Sequence, residues 1–321
     1  MLLFAALLLA SPAQLTVTPI ALPPGTGPVV MDYLATSDHG ARIWVPAGNT
    51  GKVDVIDAAS GKVTAIDGFE TAQRQGRLVG PSSASAGHGV VYVGNRANYN
   101  VCAIVEKSLA KTGCMVLPSS PDGVAWVAAT KEVWVTTPRD QSLTLLNAAN
   151  PGSLQYAARI ALPGEPEGYA VDDAKGFFYT NLEDKDRTLV LDVKTRKIVA
   201  TWNPGCGENG PRGLAIDSAR GQLYVACTDK VKTLSTRDGS VLGEVLAGAG
   251  IDNIDYRKAT KTIYIASGKT GTLTLATADD KGRLSVSATA QTAKGARVVV
   301  AGLRGAAYVA DSQGGRILMV K

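Results

Sequence analysis

Val, Ile, Leu, Thr and Tyr fill short runs along the chain, and Gly, Asp, Asn and Pro separate them, a pattern of strands and tight turns. Seven of these runs share an apolar–aromatic–apolar centre: IWVPAG, VYVGNR, VWVTTP, FFYTNL, LYVACT, IYIASG and AYVADS. Their aromatics are Trp44, Tyr92, Trp134, Tyr179, Tyr224, Tyr264 and Tyr308, at successive separations of 48, 42, 45, 45, 40 and 44 residues. A period near 44 is too short for a domain and fits four strands with tight turns, one propeller blade. A strand and turn precede the runs, as in PEGYAVDDAKG and PRGLAIDSARG, and a third strand follows, as in KVDVID, SLTLLN and RTLVLD. Each aromatic then sits mid-way along a second strand and packs between blades, where burying it stabilises by roughly 1.5–3 kcal/mol.

The chain ends provide an independent check. The last copy stops after its third strand, and the alternating segment LTVTPIAL near the start has no blade of its own. Placing Leu15–Leu22 as the missing strand closes a ring and removes open sheet edges. The expected fold is therefore all-β, a seven-bladed β-propeller of four-stranded antiparallel blades, with the N-terminal strand completing the last blade.

VDVIDAASGKV and LYVACTD resemble the YVTN repeat, and residues 15–321 are similar to the exported YncE-like β-propeller proteins. The segment from Gly164 to Tyr256 carries the strongest resemblance, with Asp32-Tyr33-Leu34, Pro121-Asp122 and GAR at 295–297 beside it. Blade two departs from the family pattern, carrying Pro81-Ser82 where relatives tend to have His-Gly. The resemblance implies the propeller fold and a binding scaffold, with single-stranded nucleic acid as one ligand class.

Composition narrows the setting. Hydrophobic residues make up 45% of 321 positions, enough for a substantial core, and the net charge of +5 is spread along the chain. The opening MLLFAALLLASPAQ reads as a secretory signal over residues 1–13, although no Lys or Arg precedes its apolar run, leaving residues 14–321 as one propeller domain. The expected product is a monomer without a membrane span, periplasmic or secreted, where disulfides persist. Cys102 and Cys114 flank a hairpin of blade two, and Cys206 and Cys227 bracket one of blade five, so two disulfides are expected. No CxxC, CxxCH or zinc-type spacing competes with them.

Loops entering the innermost strands of a propeller ring one end of its channel. Twelve residues before the aromatics stand Asp32, Asp122, Glu167, Arg212 and Asp252, with Gly80 and Ala296 in the other two blades and Ser82 and Arg297 close by. The constant offset gathers these charges at one channel mouth, with Asn181 and Asn253 in support. The bland reading is a set of paired loop charges. The functional reading is a site for a polar ligand, a partner or a hard cation, with Asp122, Glu167 and Asp252 as ligands to Ca²⁺. His39 and His88 both precede Gly in turns at the opposite end, which deprives a Ser-His-Asp arrangement of its base. Binding without catalysis is the expected role. A metal-dependent lactonase-type hydrolase and single-stranded nucleic-acid binding are the alternatives, separable by chelator sensitivity and by salt dependence.

Overall fold

All seven aromatic-centred runs form second strands: Arg42–Ala47, Val90–Asn95, Glu132–Thr137, Phe177–Leu182, Gln222–Ala226, Thr262–Ser267 and Ala307–Asp311. Each lies inside a four-stranded antiparallel sheet, and seven such sheets are present among the described residues. The structure, a computed structural model, describes residues 15–23, 27–208 and 210–321. The expected signal segment lies outside them.

The protein is a seven-bladed propeller. Blades one to six are built from consecutive strands, while the seventh takes its outermost strand from the other end of the chain. Val17–Ala21 pairs with Arg316–Val320 in antiparallel register, from Val17 opposite Val320 to Ala21 opposite Arg316. Beyond that strand, Thr16 N–H donates to the Lys321 carbonyl at 2.7 Å and Lys321 N–H returns to Thr16 at 3.0 Å. This ladder fastens first blade to last.

Among the described residues, the buried hydrophobic side chains collect in seven clusters, one at each interface between blades. Trp44 packs with Val91, Val93 and Ile104 of the next blade, and Tyr308 with Ile43 and Ile56 across the closure. All seven aromatics are at most 1% exposed. Their polar tips are mostly satisfied: Trp44 Nε1 donates to Ser37 Oγ at 2.9 Å, and Trp134 Nε1 to Glu132 Oε2 at 3.0 Å.

Small residues let the inner strands crowd the channel. A Cβ on Gly168 would lie 2.3 Å from the Arg212 carbonyl oxygen, and one on Gly213 would lie 2.9 Å from the Asn253 Cα. Side chains at these positions would spread blades four, five and six and widen the opening that they share.

Both expected disulfides are present. Cys102–Cys114 joins directly opposed residues of a hairpin, and Cys206–Cys227 ties the approach to blade five to the residue just past its second strand. They close 12- and 21-residue separations, each worth about 3 kcal/mol by loop-closure entropy. Mass spectrometry of the unreduced, denatured protein is expected to find no alkylatable thiol, and reductant is expected to lower the melting temperature. One free thiol pair in that spectrum would contradict the pairing.

One element is not in the sequence-based expectation. Between blades one and two, Ala72–Arg74 and Arg77–Val79 form a separate two-stranded hairpin. Gln75 and Gly76 at its tip have φ values of 50° and 75°, as a tight two-residue hairpin turn requires. The first interval of the repeat, 48 residues, is the longest, and the hairpin occupies that excess.

Candidate functional site

Six of the eight expected residues converge at one end of the channel, and two do not. Asp32, Asp122, Glu167 and Asp252 lie close enough for each to act on its neighbours electrostatically. Arg297 Nη1 stands 3.4 Å from Asp252 Oδ2, and Arg212 is ion-paired to Glu183. Asn181 is fully buried, with its Nδ2 donating to the Arg212 carbonyl at 2.5 Å and its Oδ1 accepting from Thr188 Oγ1 at 2.6 Å. It braces the ring from behind, so its expected place on the mouth is corrected. Asn253 lines the channel below the mouth instead of the mouth itself.

The offset of twelve misses two residues that organise the site. Arg96 bridges two acids from different blades, reaching Asp32 Oδ2 at 2.6 Å and also contacting Asp122, while its Nε donates to the Pro121 carbonyl at 3.3 Å. Glu183 is the partner of Arg212. Both stand four residues after their blade aromatics, Tyr92 and Tyr179, just beyond the second strand. Counting forward as well as backward from the aromatics reaches them.

Pairing leaves the acids unequal. Burial pulls against the Arg96 charge, but Asp32 and Asp122 hold the guanidinium protonated. Asp122 is pushed up to about 6 by burial, against the pull of Arg96, and its Oδ2 is buried without a hydrogen-bond partner. Asp252 is raised by burial, with Arg297 opposing. Glu167 differs from all of these. Burial and then Asp122, Asp252 and Asp32 drive its carboxyl well above the usual range, with Arg212 opposing from a distance. Among the described residues no hydrogen bond or ion pair reaches the Glu167 carboxyl.

Below the acids, Tyr33 and Tyr169 stack at 5.8 Å and help to line a cavity of about 260 Å³ in the channel. Burial, then Glu167 and Asp122, raise the Tyr33 hydroxyl well above its ordinary value. Deeper still, Asp255 accepts from Ala301 N–H and Tyr256 N–H at 2.7 Å each, and burial lifts it to about 6. The extra hairpin overhangs the mouth: Arg74, Gln75, Arg77 and Val79 line one pocket with Arg96, Asp122, Glu167 and Glu183. Arg139 Nη2 reaches Gln75 Oε1 at 3.2 Å and holds its tip.

The expected cation triad is not assembled. Among the described residues no three His, Cys, Asp or Glu are grouped to hold a metal ion. Asp122 and Asp252 each face an arginine instead, and a guanidinium competes directly for the oxygens that Ca²⁺ would need. His39 and His88 occupy turns with φ near 58° and 57°, and His88 stacks on Trp126 at 6.3 Å. Among the described residues, this mouth groups no three metal ligands, and the carboxyls of Asp122, Glu167 and Asp252 are its proton-accepting side chains.

No family model and no curated protein matches the sequence. Among solved structures, the chain is similar to a streptogramin B lyase at 13% identity and TM-score 0.74, covering 96% of this chain and 97% of that one. It is similar to a catalytically inactive virginiamycin B lyase from Staphylococcus aureus with quinupristin, at 13% identity and TM-score 0.74, covering 96% and 99%. A chain of a mitotic checkpoint complex matches at 13% identity and TM-score 0.76, covering 97% and 91%. At such low identities these likenesses speak to the fold alone: this chain is a β-propeller.

Proposed function

We propose that this protein is a binding protein whose channel mouth captures a polar ligand through a cationic nitrogen, with Glu167 as the receiving carboxylate. One observation carries this reading. In a mouth where Asp32, Asp122 and Asp252 each have an arginine, Glu167 has none in contact, and three like charges crowd it. An ammonium or amidinium group would supply the missing counter-charge and relieve the repulsion. Arginine pairing suits the neighbouring acids to shape the opening, and the overhanging hairpin to restrict approach.

The motifs VDVIDAASGKV and LYVACTD support placing the chain with YVTN-repeat, YncE-like propellers. The apolar opening over residues 1–13 supports a leader ahead of one propeller domain, 14–321, in a periplasmic or secreted protein, and the two disulfides agree with an oxidising compartment.

Cadaverine serves as a plain diamine probe. Capture needs Glu167 ionised, and its proton is held well above the usual range, so binding strengthens as pH rises. Cadaverine is expected to raise the melting temperature at pH 8 and to have little effect at pH 5. Glu167→Gln is expected to fold at least as stably, because repulsion is removed, and to lose the cadaverine shift. An equal shift in the variant would overturn the reading.

A further inference from the structure

Beside the acidic mouth lies a second opening of opposite character. Loops of blades five and six and the approach to blade seven enclose a cavity of about 560 Å³ lined by Arg212, Lys269, Lys294 and Arg297, with Asp252 as its one acid. Arg297 and Arg212 have acidic partners, Asp252 and Glu183. The two lysines do not: Lys294 Nζ donates to the Lys269 carbonyl at 2.7 Å, and among the described residues no carboxylate contacts either ammonium. Glycines bring these loops together, since a Cβ on Gly268 would sit 3.1 Å from Arg297 Cβ. The backbone N–H groups of Gly250, Gly268, Lys269 and Gly295 already donate to carbonyls, which leaves donation in the cleft to side chains, the four cations and Thr228 among them.

The two openings share a wall. Arg212 lines the cationic cleft while its partner Glu183 lines the pocket that holds Glu167 and Asp122. Asp252, in the cleft, is also one of the charges acting on Glu167. A ligand on Glu167 therefore has an excess of positive charge next to it. We infer that the cleft takes the anionic end of the same ligand, a carboxylate or phosphate on Lys269 and Lys294, so that the ligand is a zwitterion. This inference rests on the capture of a cationic nitrogen by Glu167, and it adds the class of the other end. An anion here gains two charge-assisted hydrogen bonds and offsets the mutual repulsion of the cations.

Two probe pairs differ by one anionic group: lysine against cadaverine carries the carboxylate, and phosphoethanolamine against ethanolamine carries the phosphate. Titration calorimetry at pH 8 is expected to show at least tenfold tighter binding for the zwitterion in one pair, which identifies the anion. In the Lys269→Ser/Lys294→Ser double variant that gap is expected to fall below twofold, with the amine affinity kept. If neither pair shows a gap, or the gap survives in the double variant, the cleft inference fails. Cadaverine binding that still depends on Glu167 would then leave the mouth reading standing, and loss of all binding would remove both.

Discussion

Replacing Arg96 with methionine is expected to destabilise the protein by about 3–5 kcal/mol at pH 8, the cost of leaving buried charges uncompensated. Arg96 contacts both Asp32 and Asp122, and all three side chains are largely shielded, at 27%, 14% and 15% exposure. Methionine keeps the volume of the stem, so lost packing contributes little. The effect has a pH signature whose sign follows from linkage. Without the guanidinium, burial is left unopposed at Asp122, which binds its proton more tightly folded than unfolded, so its folded pKa rises further above the unfolded one. The penalty is absent below about pH 4, where both states are protonated, and it grows as pH rises toward and through the folded value. Denaturant melts at pH 8 and pH 4.5 are expected to show a large loss and a small one. A loss of equal size at both would mean that packing, not charge, is what Arg96 contributes.

Replacing Asp54 with leucine is expected to act in the opposite direction. Asp54 lies on the third strand of blade one, between Val45 and Ala65, and is fully buried. Neither carboxylate oxygen has a hydrogen-bond partner. Burial lifts its pKa to about 7, with Lys52 pulling it down and Asp67 pushing it up. An acid whose folded pKa exceeds the unfolded value costs stability as pH rises from about 4 to 7, by about 4 kcal/mol in all at 1.36 kcal/mol per unit. Two other blades place leucine at the same register position: Leu189 opposite Thr180, and Leu318 opposite Val309. Asp54→Leu is therefore expected to raise stability at pH 8 by about 4 kcal/mol more than at pH 4. Guanidinium melts of both proteins across that range check it, and a gain that does not vary with pH would contradict the account.

These two residues also mark the limit of reading the chain alone. The seven aromatics announce blade number because each interface needs one large ring at a fixed strand position, a demand that recurs with the repeat. The closing strand is legible for a similar reason, since an incomplete last blade and an orphan alternating segment leave one edge each. Offsets from the aromatics found Asp32, Asp122, Glu167, Arg212, Asp252 and Arg297, which share one loop level. Arg96 and Glu183 have a constant offset too, but lie beyond the second strand, at a level that the backward count does not sample. Asn181 was misplaced because alternation along Phe177–Leu182 turns it into the blade, where Thr188 takes up its carboxamide.

What the amino-acid order determined by itself is periodic: seven copies, four strands in each, two disulfides that each staple one blade, and charged loops at one end. Such features follow from local patterning, because side-chain alternation and turn residues act over a few positions. Which acid meets which arginine was decided only by the tertiary structure, since Arg96 joins Asp32 and Asp122 across three blades and the pairing depends on how closely glycine-lined inner strands approach. Among the described residues, that same geometry leaves Glu167 with no cation in contact, because a guanidinium can serve only the carboxylates that the closed ring brings within its reach.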